Sequence, residues 1–289
     1  KSTHEGASHK CGHDGHTTLL LGAAKYLSEN PDFDGTVNLI FQPAEEGGGG
    51  ANEMIKDGLL EKYPMSKVYG MHNWPDIPKG KFSIRPGPIM AAVDTIQINI
   101  KGRGGHAAMP HQTIDPIIVG AQIVSALQTI PSRTIDPIDT IVLSVTQFHA
   151  GTTHNVIPDD VFIEGTLRTF SKKIREQAIK RIKEISDNLA KSFGANADVI
   201  ILDGYPATVN NDAESIVAAD TASEIVGKEN VEYNMRPIMG SEDFSFMLNN
   251  VPGAFIFIGQ GDDEHKVACH HQQYDFNDEI LPIGSSYWV

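Results

Sequence analysis

Apolar residues follow two rhythms along this chain. Thr17 to Ser28 (TTLLLGAAKYLS) is mostly apolar over a helical length, which predicts a buried helix. Thr36–Phe41, Lys67–His72 and Ala254–Ile258 are short, apolar on both faces, and read as strands. Gln42-Pro43 closes the first of these, and Asn73-Trp74-Pro75 follows the second. Strands of this kind, spaced by helical stretches, predict a mainly parallel sheet covered by helices on both sides.

The middle of the chain alternates instead. Ile96, Ile98 and Ile100 share one face of a half-buried strand, Thr95–Lys101. Asp115-Pro116 offers an N-cap and a first-turn proline to a helix running towards Leu127. Thr140–Phe148 and Val161–Phe170 are further strand candidates. Ser171 caps a long helix whose Ile174, Ala178, Ile182, Ile185 and Leu189 recur at helical spacing, and Ala197–Leu202 closes the set as a strand. The order β-α-β-β-α-β is the split βαβ, ferredoxin-like pattern. It predicts a small α+β domain inserted over residues 91–203, with residues 1–90 and 204–289 as two parts of one α/β domain.

A length of 289 residues suits two domains, and 40% hydrophobic residues suffice for a core. The net charge of −14 argues against nucleic acid, whose phosphates need a positive surface. No apolar run approaches the ~20 residues of a membrane span, and no signal peptide opens the chain. The expectation is a cytoplasmic enzyme with no membrane contact. The chain opens at Lys1 without methionine and ends within an apolar run, so it looks clipped at both ends. Its two cysteines, Cys11 and Cys269, each stand beside histidines, which suits a metal or catalytic thiol better than a disulfide framework.

Four clusters carry chemistry. In His9-Lys-Cys11-Gly-His13-Asp14-Gly-His16, Cys11 and His13 are two apart and on an extended segment would face one metal together. Asp14 could orient a ligand or bridge two ions. The bland alternative is a histidine-rich surface loop. Glu45 and Glu46 stand before four glycines, after the expected strand ending at Phe41. Alone they would read as a solvated acidic turn, but open α/β sheets bind ligands beyond the carboxyl ends of their strands. One carboxylate could then bind metal while the other faces a water. His72 ends another expected strand, where a lone histidine is more often structural. Cys269-His270-His271 follows the strand Ala254–Ile258. Their shared topological position is what joins them.

Imidazole, carboxylate and one thiolate suit Zn²⁺, and manganese, cobalt or nickel also fit. The candidates exceed what one tetrahedral ion needs. That favours two ions about 3.5–4 Å apart with one bridging ligand, and a free glutamate as general base.

The motifs CGHDGH, FQPAEEGGGGA, GMHNWP, GRGGHAAMPH, NVIPD, GTLRTF and HHQQYDFND occur in the order seen in the dinuclear-metal aminoacylase/carboxypeptidase superfamily. The chain resembles its branch of hippurate hydrolases, N-acetyl-amino-acid deacetylases and plant auxin-conjugate hydrolases. The resemblance implies a zinc-exopeptidase-like catalytic domain interrupted by a ferredoxin-like lid and dimerisation domain. It implies that Cys11 bridges two metals, that His13, Glu46, His72 and His270 complete the ligands, and that Glu45 is the general base. It further implies a homodimer in which His106 stabilises the oxyanion in the partner's site, while Asn155 and Arg168 hold the substrate.

His106 also lies in a loop with Gly102, Gly104 and Gly105, which allows close approach to a ligand. Arg168 sits on an alternating strand, where it could grip a carboxylate with two parallel hydrogen bonds or simply face solvent. The chain departs from the family in lacking strands and helices ahead of CGHDGH, and in Gln272-Gln273, where a Pro-basic pair is usual. The implied activity is hydrolysis of small N-acyl amino acids. The alternatives are a dipeptidase or aminopeptidase-like relative, a truncated non-catalytic dimerising homologue, and a Cys11–His thiol hydrolase.

Overall fold

A computed structural model describes residues 5–289. It divides into two compact units. One combines the residues up to Ile89 with Thr208–Ile238 and Asp243–Val289; the other is Met90–Ala207 with Met239–Glu242.

The first unit is built on a four-stranded sheet in the order Val68–Pro78, Gly253–Gly261, Phe82–Ile84, Val231–Tyr233. Gly253–Gly261 is buried along almost its whole length, as its apolar run requires. The sheet is mixed but mainly parallel, as expected: its two outer pairs are parallel and its central pair alone is antiparallel. The reason is the tight return after Pro78, closed by Lys81 N–H donating to the Pro78 carbonyl at 3.1 Å. A parallel return would need a crossover of about a dozen residues. Leu19 of the helix His13–Glu29, Ala218, Ala219 and Ala222 of Asp212–Val226, and Tyr287 of Leu281–Trp288 pack with Phe82, Ile84, Ile256 and Ile258 into one core.

Thr36–Phe41 is not a strand. It has no backbone partner among the described residues, and Val37 and Phe41 are 50% and 44% exposed. Strand propensity without a neighbouring ladder does not make a strand. His72 lies inside its strand rather than at its end, because Gly253–Gly261 continues alongside and pairs Trp74 with Gly259.

The second unit is a four-stranded antiparallel sheet in the order Ile141–Ala150, Asp160–Thr169, Ala92–Lys101, Asn196–Asp203. The helices Pro116–Leu127 and Lys172–Ser192 pack on one face. There Ile96, Ile98 and Ile100 meet Val119, Ile123, Ile174, Ala178 and Ile182. Both caps form as their sequences require: Asp115 accepts from Ile117 N–H and Ser171 from Ile174 N–H.

Asp94 falls on the buried face of its strand and is 2% exposed. Arg175 satisfies it with two parallel hydrogen bonds of 2.7 Å and also reaches Asp203. Arg175→Met should destabilise this unit by about 2 kcal/mol, the cost of an orphaned carboxylate discounted for the partial exposure of the arginine. Denaturant unfolding followed on the whole chain measures it; an unchanged midpoint would mean that Asp94 finds other partners. Among the described residues no helix is long and apolar enough to cross a membrane.

Candidate metal centre and active site

The centre is assembled from three places in the first unit: the start of the helix His13–Glu29, the strand Val68–Pro78, and the loop after Gly253–Gly261. A fourth element, the glutamate loop, comes from between the first two.

Cys11 and His13 do not share an extended segment. Gly12 turns the chain into the helix with φ of 95°, a left-handed conformation that suits glycine. A Cβ there would also collide with the Asn73 carboxamide and the Tyr274 hydroxyl. The turn still brings both side chains to one spot: the donor atoms of Cys11, His13 and His72 lie within 4.8 Å of one another. Those of Cys11, Glu46 and His270 form a second such group, and those of His13, Glu45 and Glu46 a third. Cys11 therefore belongs to two groups at once, its Sγ lying 3.3 Å from His72 Nε2 and 3.2 Å from His270 Nε2. Glu46 faces His270 Nε2 at 3.3 Å and His13 Nε2 at 3.8 Å. Asp14 is exposed on the first turn of the helix and belongs to none of these groups.

The glutamate loop follows no strand, in contrast to its expected position. Buried Asp243 anchors it instead, accepting from the Gln42 side chain and from Ala51 N–H. Burial first, then the carboxylates of Glu46 and Asp243, push the Glu45 carboxyl up to about 7. Ala44 and His270 are two of the three non-glycine residues with positive φ among the described residues. Strain of this kind is held only where surrounding contacts impose it. For His270 one such contact is its own N–H, which donates to the Lys10 carbonyl at 2.5 Å.

Behind the ligand candidates lies a buried polar network that sequence reading missed. The Asn73 side-chain amide donates to Gln260 Oε1 and to the Tyr274 hydroxyl, both at 2.7 Å, and its Oδ1 lies 2.7 Å from His16 Nε2. The Gln260 amide donates to the Asp275 carbonyl, and Asn277 donates to the Gln260 carbonyl. The loss of hydration, then the adjacent His72 ring, hold His16 well below the usual imidazole range, so it stays neutral. Asn73 thereby ties the Cys11 turn, the His72 strand and the loop that carries His270. Its place directly after His72 in GMHNWP was the available signal.

The remaining candidates belong to the second unit. His106 pairs with Val156 in a short antiparallel ladder, and Ala107 N–H donates to the Asn155 carbonyl at 3.1 Å, so His106 and Asn155 are neighbours. His106 Nδ1 accepts from Ala108 N–H at 3.1 Å, which leaves Nε2–H as the exposed donor. Arg168 is half-buried and donates to the Met239 carbonyl at 2.8 Å. It makes no described contact with His106 or Asn155.

The chain is similar to known proteins along its whole length. The chain is 42% identical over 293 residues to IAA-amino acid hydrolase ILR1-like 4 of Arabidopsis thaliana, covering 99% of this chain and 66% of that protein. It is 40% identical over 293 residues to the hippurate hydrolase of Campylobacter jejuni, covering 100% of this chain and 74% of that protein. It thus spans about two thirds to three quarters of their lengths. A solved Bacillus subtilis structure, described as a dinuclear metal binding peptidase from the M20 family, superposes with a TM-score of 0.83. That likeness has 33% identity and covers 99% of this chain and 72% of that one. The model of peptidase family M20/M25/M40 matches residues 1–289, and the chain belongs to this family of amide-cleaving hydrolases.

Proposed function

We propose that this chain hydrolyses the amide bond of small N-acyl amino acids at a centre that holds two divalent metal ions. The observation that carries this reading is the sharing of Cys11 between two donor groups, one with His13 and His72, the other with Glu46 and His270. A thiolate, imidazoles and a carboxylate within ligand reach of one another fit first-row divalent ions, zinc best, with manganese, cobalt and nickel also suited. When bound, such a pair supplies Lewis acidity that polarises the scissile carbonyl and acidifies the attacking water.

The chain's own residues do the rest. Cys11, His13, Glu46, His72 and His270 hold the ions. Glu45 takes the proton of the attacking water and passes it to the departing nitrogen. His106 Nε2–H donates to the oxyanion, and Asn155 and Arg168 hold the substrate's carboxylate or carbonyl. By the same resemblance the second unit is a lid and dimerisation surface. His106 then serves the partner's centre in a cytoplasmic homodimer.

A second reading has one observation in its favour: Cys11 Sγ stands within hydrogen-bond reach of two imidazoles, as a thiol nucleophile would. One experiment separates the two. Hydrolysis of a panel of N-acyl amino acids is assayed before and after exhaustive chelation, with metal content measured in parallel. The metal reading expects close to two ions per chain, activity lost on chelation and regained on adding back Zn²⁺ or Mn²⁺. Activity indifferent to chelation would overturn it in favour of the thiol.

Asn73→Leu should lower metal affinity by about 10–100-fold, the usual cost of losing a group that orients ligands. Competition with a chromophoric chelator reads this directly, and unchanged affinity would reduce Asn73 to a packing residue.

A further inference from the structure

The chain has two cysteines, and the structure places both in the same centre, although 258 positions separate them in sequence. Cys269 Sγ lies 4.0 Å from the Cys11 carbonyl oxygen. The segments that carry them run side by side, tied by His270 N–H to the Lys10 carbonyl. Neither cysteine is fully buried. Cys269 belongs to none of the groups of donor atoms described above, and the proposed reaction gives it no task.

We infer that Cys11 and Cys269 form a reversible oxidation site, closing to an intramolecular disulfide that withdraws Cys11 from the centre. A low-molecular-weight disulfide such as glutathione disulfide is the co-reactant. The Cys269 thiolate attacks one of its sulfurs and expels one glutathione thiol. Cys11 then attacks the mixed disulfide at Cys269 and expels the second. The two protons and two electrons of the protein thiols end on two glutathione molecules. Metal and oxidant compete for the same sulfur, so bound metal protects the pair and oxidation blocks reloading. That consequence rests on the metal reading above; the linkage itself does not.

The test uses the full chain, metal-loaded and after chelation, each incubated with glutathione disulfide under native conditions. Free thiols are counted by alkylation and mass spectrometry, and the digest is mapped. The chelated protein should go from two free thiols to none, lose the mass of two hydrogens, and yield one peptide joining Cys11 to Cys269. Dithiothreitol should restore both thiols, and the metal-loaded protein should keep them. Cys269→Ser should stop at one glutathione adduct and reload metal once that adduct is reduced. Lasting glutathione adducts without the cross-link, or two thiols surviving in the chelated wild type, would overturn the inference. A cross-link that forms equally with and without metal would keep the thiol pair and instead count against Cys11 as a ligand.

Discussion

Glu45→Gln should leave metal content intact and cut turnover by about 10²–10⁴, the range expected when a positioned general base is lost. The substitution keeps the size and the hydrogen-bonding reach of the side chain while removing its ability to accept the proton of the water. It should therefore fold, since the loop that carries it is held from elsewhere, by Asp243 on Gln42 and on Ala51 N–H. Glu46 should not substitute, because its carboxylate stands 3.3 Å from His270 Nε2, in the donor group with Cys11. Metal analysis and steady-state kinetics on the same preparation decide the matter. Loss of metal together with activity would move Glu45 into the ligand set, where its own proximity to His13 and Glu46 gives it a place. Retained turnover would remove it from the mechanism.

His106→Ala should lower kcat by about 10²–10³ with little change in metal content, the effect of deleting one oxyanion donor. The geometry on which this stands is local to the second unit. Ala108 N–H occupies Nδ1, so the neutral ring carries its proton on Nε2 and presents it outward. The asymmetry between kcat and KM is the informative part, since a residue that merely binds substrate would raise KM instead. Mixing inactive Glu45→Gln and His106→Ala chains extends the test to the assembly. Recovered activity means that one subunit supplies His106 to the other's centre; none means that each chain works with its own.

Much of this fold and centre is legible in the sequence, and the reason lies in what kind of information each feature uses. Asp115-Pro116 and Ser171 announce helix starts through chemistry confined to a few neighbouring residues, and both helices begin there. The alternation through Ile96, Ile98 and Ile100 gave its strand for the same reason. Thr36–Phe41 carries an equally good local pattern and forms no strand, because a ladder needs a second chain segment that periodicity does not encode. Cys11, His13, Glu46, His72 and His270 were found by residue type and motif, and the structure brings their donor atoms together. The backbone that does so was misread at Gly12, where a left-handed turn replaces an extended one. Asn73, Gln260 and Tyr274 were missed altogether. Amides and a phenol signal no chemistry in a sequence, and only burial with mutual hydrogen bonds reveals their role.

The bare stretch Thr36–Phe41 has a practical consequence. Its six residues, Thr-Val-Asn-Leu-Ile-Phe, contain no charge and no proline, and Val37, Leu39 and Phe41 are exposed. An extended segment of high strand propensity with open backbone groups is a template onto which another molecule can add, the first step of fibrillar aggregation. No gatekeeper charge interrupts the run, which makes it the place where a charged substitution, such as Leu39→Lys, should reduce self-association.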